Sequence, residues 1–196
     1  MLNEVVTNIL QPALSELSII ETLGGIVNNV SKIEQTPGGG QTRYTYPVSC
    51  GVTEADCFAT GTYLALVPDD TKKSVAFFKA TSFSIQTGTP HSRVNQFRGG
   101  LRLLVWFNLA RLGLTECGIP YAAVHSIANA IGGCSVNEPM SGATTHVTVT
   151  AIQTHNAQAA FGEYTFGQSD ALFMYPYGFA VFDLDIQVQY QTSCVP

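Results

Sequence analysis

Phe182-Asp183-Leu184-Asp185-Ile186-Gln187-Val188-Gln189-Tyr190 alternates apolar and polar residues without a break. Successive side chains of a strand point to opposite faces. The run therefore predicts a strand with Phe182, Leu184, Ile186, Val188 and Tyr190 against a core and two aspartates and two glutamines on the other face. Upstream, LRLLVWFN at 101–108 is apolar on both faces, with Leu104 and Trp106 opposite Leu103, Val105 and Phe107. That pattern suits a central strand covered on both sides. Between the two strands, Pro120 opens a helix. Val124, Ile127, Ala128 and Ile131 fall at i, i+3, i+4 and i+7, and Gly132-Gly133 ends it.

Leu2, Val5, Val6, Ile9 and Leu10 also have helical spacing. Pro12 kinks or restarts that helix, and Leu14 and Leu17 continue its apolar stripe. Gly24-Gly25 punctuates the chain before a strand expected at 26–34, and Pro37-Gly38-Gly39-Gly40 is a loop. Further strands are expected at 44–49, 60–67, 73–79, 82–86 and 144–154, with shorter ones at 161–166 and 171–175. Turns are expected at 50–57 and at Pro68-Asp69-Asp70. Residues 87–100, polar and basic with Pro90 and a closing Gly99-Gly100 pair, form a long loop in this reading. No linker or internal repeat divides the chain. The expectation is one domain over 1–196, of α+β class: a mostly antiparallel sheet packed by two helices, with a long extended loop at about 87–100.

Only 12% of the 196 residues are charged, about half the usual share, while 45% are hydrophobic. Disorder is excluded by the second figure. The first gives a neutral polar exterior that costs little to desolvate against another protein, so association is expected. The formal net charge of −5 gives no support for general nucleic-acid binding. The charge is also segregated. Residues 72–111 hold Lys72, Lys73, Lys79, Arg93, Arg98, Arg102 and Arg111 and no acid. Beyond Arg111 there are six acids and no Lys or Arg. Two readings compete: both sets mix on one folded surface, or a basic face meets the acidic face of a neighbouring copy in a heterologous contact. No secretory signal and no membrane-length apolar run is read in the sequence. The five cysteines (Cys50, Cys57, Cys117, Cys134, Cys194) are odd in number and contain no CxxC pair, which fits reduced, buried thiols, with Cys50–Cys57 the disulfide alternative.

The search for catalytic chemistry yields little. Cys117, His125 and Cys134 are spaced by eight and nine residues, which matches no standard zinc pattern. Cys134 with His146 is a candidate nucleophile pair, but nothing in the sequence marks either cysteine as activated. Asp183 and Asp185 share one strand face, where a cation site competes with a solvated or lumen-facing strand. GxSxG, HExxH and EF-hand spacings are absent. The expectation is a protein that is not an enzyme and carries no catalytic, cofactor or metal residues. The alternative is a small binding or hydrolytic domain using a Cys/His site; a third class, a surface adhesin, would need disulfides and an export signal.

Met174-Tyr175-Pro176-Tyr177-Gly178-Phe179 followed by the alternating 182–190 strand resembles the ending of tailed-phage neck and tail proteins of the tail-terminator or tail-completion type. Gly24-Gly25-Ile26-Val27 followed by Tyr46-Pro47-Val48-Ser49-Cys50 is similar to structural ring proteins of crAss-like phages. The resemblance covers the order of elements along the chain; its local motifs are short. The basic 87–100 stretch and the cysteine content depart from a plain tail-terminator domain. The resemblance implies a virion structural protein that forms a homo-oligomeric ring in the neck or tail. Other copies and adjacent neck, tail or portal proteins would be its partners, DNA would pass only as cargo, and no membrane is involved. Assembly would take place in the host cytoplasm. The charge pattern places the expected subunit interface at Arg93, Phe97, Arg98, Arg102, Asp183 and Asp185.

Overall fold

A computed structural model of the chain describes residues 2–35, 40–50, 63–68, 70–86, 94–114, 121–132, 134–138, 143–156, 160–164 and 175–191. At its centre, β6 (Val94–Asn108) and β9 (Tyr177–Gln191) run antiparallel and in register from Val94 opposite Gln191 to Asn108 opposite Tyr177. β5 (Ser74–Gln86) flanks β6 and β8 (Ala143–Gln153) flanks β9, both antiparallel. At the edges lie β1 (Thr22–Ile26), parallel to β5, and β7 (Ser135–Glu138), antiparallel to β8. The order is β1-β5-β6-β9-β8-β7. A second sheet holds β2 (Asn28–Gln35), β3 (Gln41–Cys50) and β4 (Tyr63–Ala65) in that order. The expected α+β fold, a mostly antiparallel sheet packed by two helices, is the observed one.

The pleat divides the central strands between two cores. Leu101, Leu103, Val105 and Phe107 of β6, with Ala180, Phe182, Leu184, Ile186 and Val188 of β9, face the helices. On that side, α1 (Leu2–Val5), a π-helical turn (Val6–Leu10) and α2 (Gln11–Ser15) form one N-terminal helix that buries Val5, Val6, Ile9, Leu10 and Leu14. Pro12 has no N–H to give and crowds the carbonyl four residues back, and the chain immediately before it is wound wide. α3 (Tyr121–Gly132) adds Ile127 and Ile131 to the same core. Leu104 and Trp106 of β6, with Phe179 and Val181 of β9, face the other way into a second core closed by Leu66, Ala160, Phe161 and Tyr164. Phe161 stacks on Trp106 at a centroid distance of 4.3 Å and meets Phe179 edge-on at 5.3 Å. The sheet is thus apolar on both faces over 101–108, as that stretch predicts.

Several local expectations differ from the structure. Gly24-Gly25 lies inside β1, where the pairing with β5 slips between Leu23 and Ile26. A glycine pair in a strand marks a bulge or a close approach, and Gly24 is both: an added Cβ would sit 2.5 Å from Leu66 Cδ1. Gly24→Val should therefore destabilise the fold by about 1–3 kcal/mol through overpacking, read as a lower urea midpoint. The strands expected at 73–79 and 82–86 are one strand, β5, whose register slips between Ala80 and Ser82. Residues 94–100, expected as loop, are the first half of β6; 87–93 lie outside the described residues. Ala160 and Phe161 sit in a helical turn, so the strand expected at 161–166 is not formed over 161–164. The expected turn at 50–57 and strand at 171–175 lie almost wholly outside the described residues.

Candidate functional site

The second core covers only part of its sheet face. Beyond Leu104 and Val181 the same face continues through Arg102, Gly100 and Arg98 on β6 and Asp183, Asp185 and Gln187 on β9. Arg102 lies directly across from Asp183, and its Nε donates to Asp183 Oδ1 at 2.7 Å. Arg98 Nε reaches diagonally to Asp185 Oδ1 at 2.8 Å. The second oxygen of each carboxylate is also engaged: Asp183 Oδ2 accepts from Gln153 Nε2 at 3.3 Å and Asp185 Oδ2 from Gln187 Nε2 at 3.0 Å. Gln96 Nε2 then donates to Gln187 Oε1 at 3.3 Å. The result is a ladder of two ion pairs and bridging amides across three strands.

The ladder joins part of the segregated charge within one chain. The 72–111 bases and the C-terminal acids are remote in sequence, yet β6 and β9 are hydrogen-bonded neighbours, so Arg98 and Arg102 meet Asp185 and Asp183 within one chain. Four of the six expected interface residues are therefore partners of each other. Phe97 lies on the opposite face of β6, packed toward the helix core and stacked on Phe83 at 6.4 Å; Arg93 lies outside the described residues. The Asp183/Asp185 face is accordingly occupied by guanidinium groups rather than open to a cation.

The Arg98 hydrogen bond is the first cause that holds the Asp185 carboxyl below its ordinary 3.8. A depressed carboxylate pKa stabilises the fold above the unfolded value, and that contribution is lost as pH falls through the lower folded value. Asp185→Asn should thus be less stable than the native chain at neutral pH. The gap should close as pH falls below the ordinary carboxylate value and through the lowered one, measured as unfolding free energy against pH.

A second polar cluster ties the N-terminal helix to β5. Ser74, nearly buried, accepts from the Glu21 N–H at 3.0 Å and donates to the Ile19 carbonyl at 2.7 Å. Glu21 Oε2 accepts from the Lys73 N–H at 2.7 Å, and Lys72 Nζ lies 3.4 Å from Oε1. The backbone hydrogen bond from Lys73 is the chief reason its carboxyl sits below the usual range. A cleft of about 460 Å³ lined by Ser18, Ile20, Glu21, Thr71, Lys73 and Arg111 opens beside it. Of its charged groups, Glu21 is held as above and Arg111 Nε donates to the Asp70 carbonyl.

The nucleophile candidate fares poorly. The Cys134 thiol donates to the Ala130 carbonyl at 3.0 Å, and burial pushes its pKa up, away from thiolate. His125 stacks on Tyr121 and shares a 3.0 Å contact with Asn129 on the exposed side of α3. Among the described residues, no group of three or more His, Cys, Asp or Glu could hold a metal ion; Cys57, Cys117 and Cys194 lie outside them. No helix among the described residues is long and apolar enough to cross a membrane.

Sequence reasoning missed the cross-strand ladder. The usable signal was the matching spacing of Arg98/Arg102 and Asp183/Asp185 on two strands, which needed their adjacency to be interpreted. No protein-family model matches this chain, and no curated protein is similar to it at a significant level.

Proposed function

We propose that this protein is a structural subunit of a homo-oligomeric ring, of the kind found in the neck or tail of a tailed phage. The observation that supports this reading most is how the chain uses its few charges. Of nine Lys and Arg residues, Lys72 pairs with Glu21, Lys79 with Glu163, Arg98 with Asp185 and Arg102 with Asp183, all within the chain. A soluble monomer keeps charge of both signs free at its surface. Here much of it is neutralised internally, and amides, hydroxyls and scattered aromatics such as Phe83 and Tyr121 remain exposed. Such a surface loses little on desolvation by a neighbouring copy.

In the ring, the ladder face is well suited to line a channel. Its arginines are held by carboxylates, so they offer passing DNA no free cationic grip, and its amides make only weak, exchangeable contacts. Negative-stain electron microscopy of the purified protein tests the reading. Closed annuli with a central opening wide enough for a DNA duplex are expected; dispersed single particles without annuli would contradict it.

A further inference from the structure

β2 and β3 form a long two-stranded ladder, from Asn28 opposite Val48 to Gln35 opposite Gln41. At about 3.4 Å per residue the ladder extends roughly 24 Å. Its base is anchored: Val48 is buried, and Tyr46 packs partly against the second core. Gly40, Gln41 and Arg43, toward the far end, are exposed. A lone two-stranded ribbon is marginally stable in water. An unpaired edge is also a template for another strand, which native folds normally block. Among the described residues, no strand pairs with the outer edge of β2.

The six-stranded sheet has a matching vacancy on its far side. β2 leaves the sheet at the β1 edge, through Val27, whose N–H is bonded to the Phe78 carbonyl at 2.8 Å. β7 is the opposite edge, and its outer side is likewise without a strand partner among the described residues. The donor edge thus belongs to the smaller sheet, joined to the β1 side of the larger one, and the acceptor edge is the larger sheet's other side. A contact between them on two copies is heterologous, repeats head to tail, and closes into a ring when the rotation allows.

We infer that the β2–β3 hairpin is an arm whose outer edge adds a strand beside β7 of a second copy of this chain. The proposal rests on the ring reading and specifies its joint. Main-chain hydrogen bonds supply the contact, as in other strand additions, so it needs no charge complementarity between copies.

Two variants and their mixture test it by mass photometry. In the first, residues 31–45 are replaced by Asn-Gly, which joins the paired Val30 and Tyr46 by a two-residue turn. The second, Asn137→Pro, spoils the acceptor edge: the Val147–Cys134 hydrogen bond turns Val136 toward β8 and leaves the Asn137 N–H facing outward. Each alone should remain at the chain mass of 21.0 kDa under conditions where the native chain assembles. Mixed, they should form a two-chain species and nothing larger, because the first retains only the acceptor and the second only the donor. That mixed species requires both variants to be folded. If the shortened chain does not unfold cooperatively, single prolines at Ser31 and Lys32 replace it: their N–H groups point to opposite sides, so one of the two should abolish assembly. A native chain that assembles while the shortened or both proline variants assemble equally well overturns the arm and leaves the ring standing. A native chain that never assembles overturns both.

Discussion

Phe182→Ala should lower the unfolding free energy by about 3–5 kcal/mol. Phe182 is fully buried on β9, opposite Leu103, and belongs to the core shared by the N-terminal helix, α3 and four strands of the sheet. Truncation there removes the ring's transfer free energy and leaves a void that neighbours on both sides are too well fixed to fill. Domains of this kind have total stabilities of about 5–15 kcal/mol, so the loss is a large part of the whole. With an m-value of about 2 kcal/mol per molar urea, the midpoint should fall by about 1.5–2.5 M. A fall of less than half a molar would mean that the helix layer is not seated on β9 as described.

Trp106→Ala should cost a similar amount, about 3–5 kcal/mol, but through the opposite face. Trp106 packs among Phe161, Phe179 and Leu66, and stacked aromatic pairs contribute beyond their buried area. The loss should be local as well as global. In native-state hydrogen exchange, the Ala160–Tyr164 turn should open faster, while the N-terminal helix on the other side keeps its protection relative to global unfolding. Unchanged exchange in that turn would show that it does not depend on Trp106. Because Trp106 is the single tryptophan, its fluorescence in the Phe182→Ala variant reports the second core while circular dichroism follows the whole chain. The two transitions should coincide, since β6 contributes residues to both cores.

Legibility in the sequence followed the range of the physics involved. β9, the 101–108 half of β6 and α3 were readable because side-chain period alone determines which residues face the core, and that information is local. β7 has four residues and too few repeats for any period to register. The Ala160–Tyr164 turn was misjudged because Phe161 and Tyr164 have strand-like character, whereas their positions are set by the Trp106 side chain that they cover. Gly24-Gly25 reads as a boundary because glycine usually interrupts a strand. Here it admits Leu66 against β1, a contact between residues more than forty positions apart. The ladder depended on strand order. Nothing local reveals that β6 and β9 are neighbours, so the sequence leaves open whether Arg98 and Arg102 meet Asp185 and Asp183 within one chain or between two copies. Charge reversal at Arg98 and Arg102 should therefore weaken the fold, read as a lower urea midpoint, because each carboxylate partner lies in the same chain.

The chain thus builds two cores on one central strand pair, closes Arg98 and Arg102 on Asp185 and Asp183, and among the described residues leaves β2 and β7 each without a strand partner on its outer side. The proposition that this exterior is meant to be covered by further copies is tested most directly by sedimentation velocity of the native chain across a dilution series. Expected is a discrete species at a whole-number multiple of 21.0 kDa, several copies in size and persisting to low micromolar concentration. A single species at the chain mass at every concentration would contradict it.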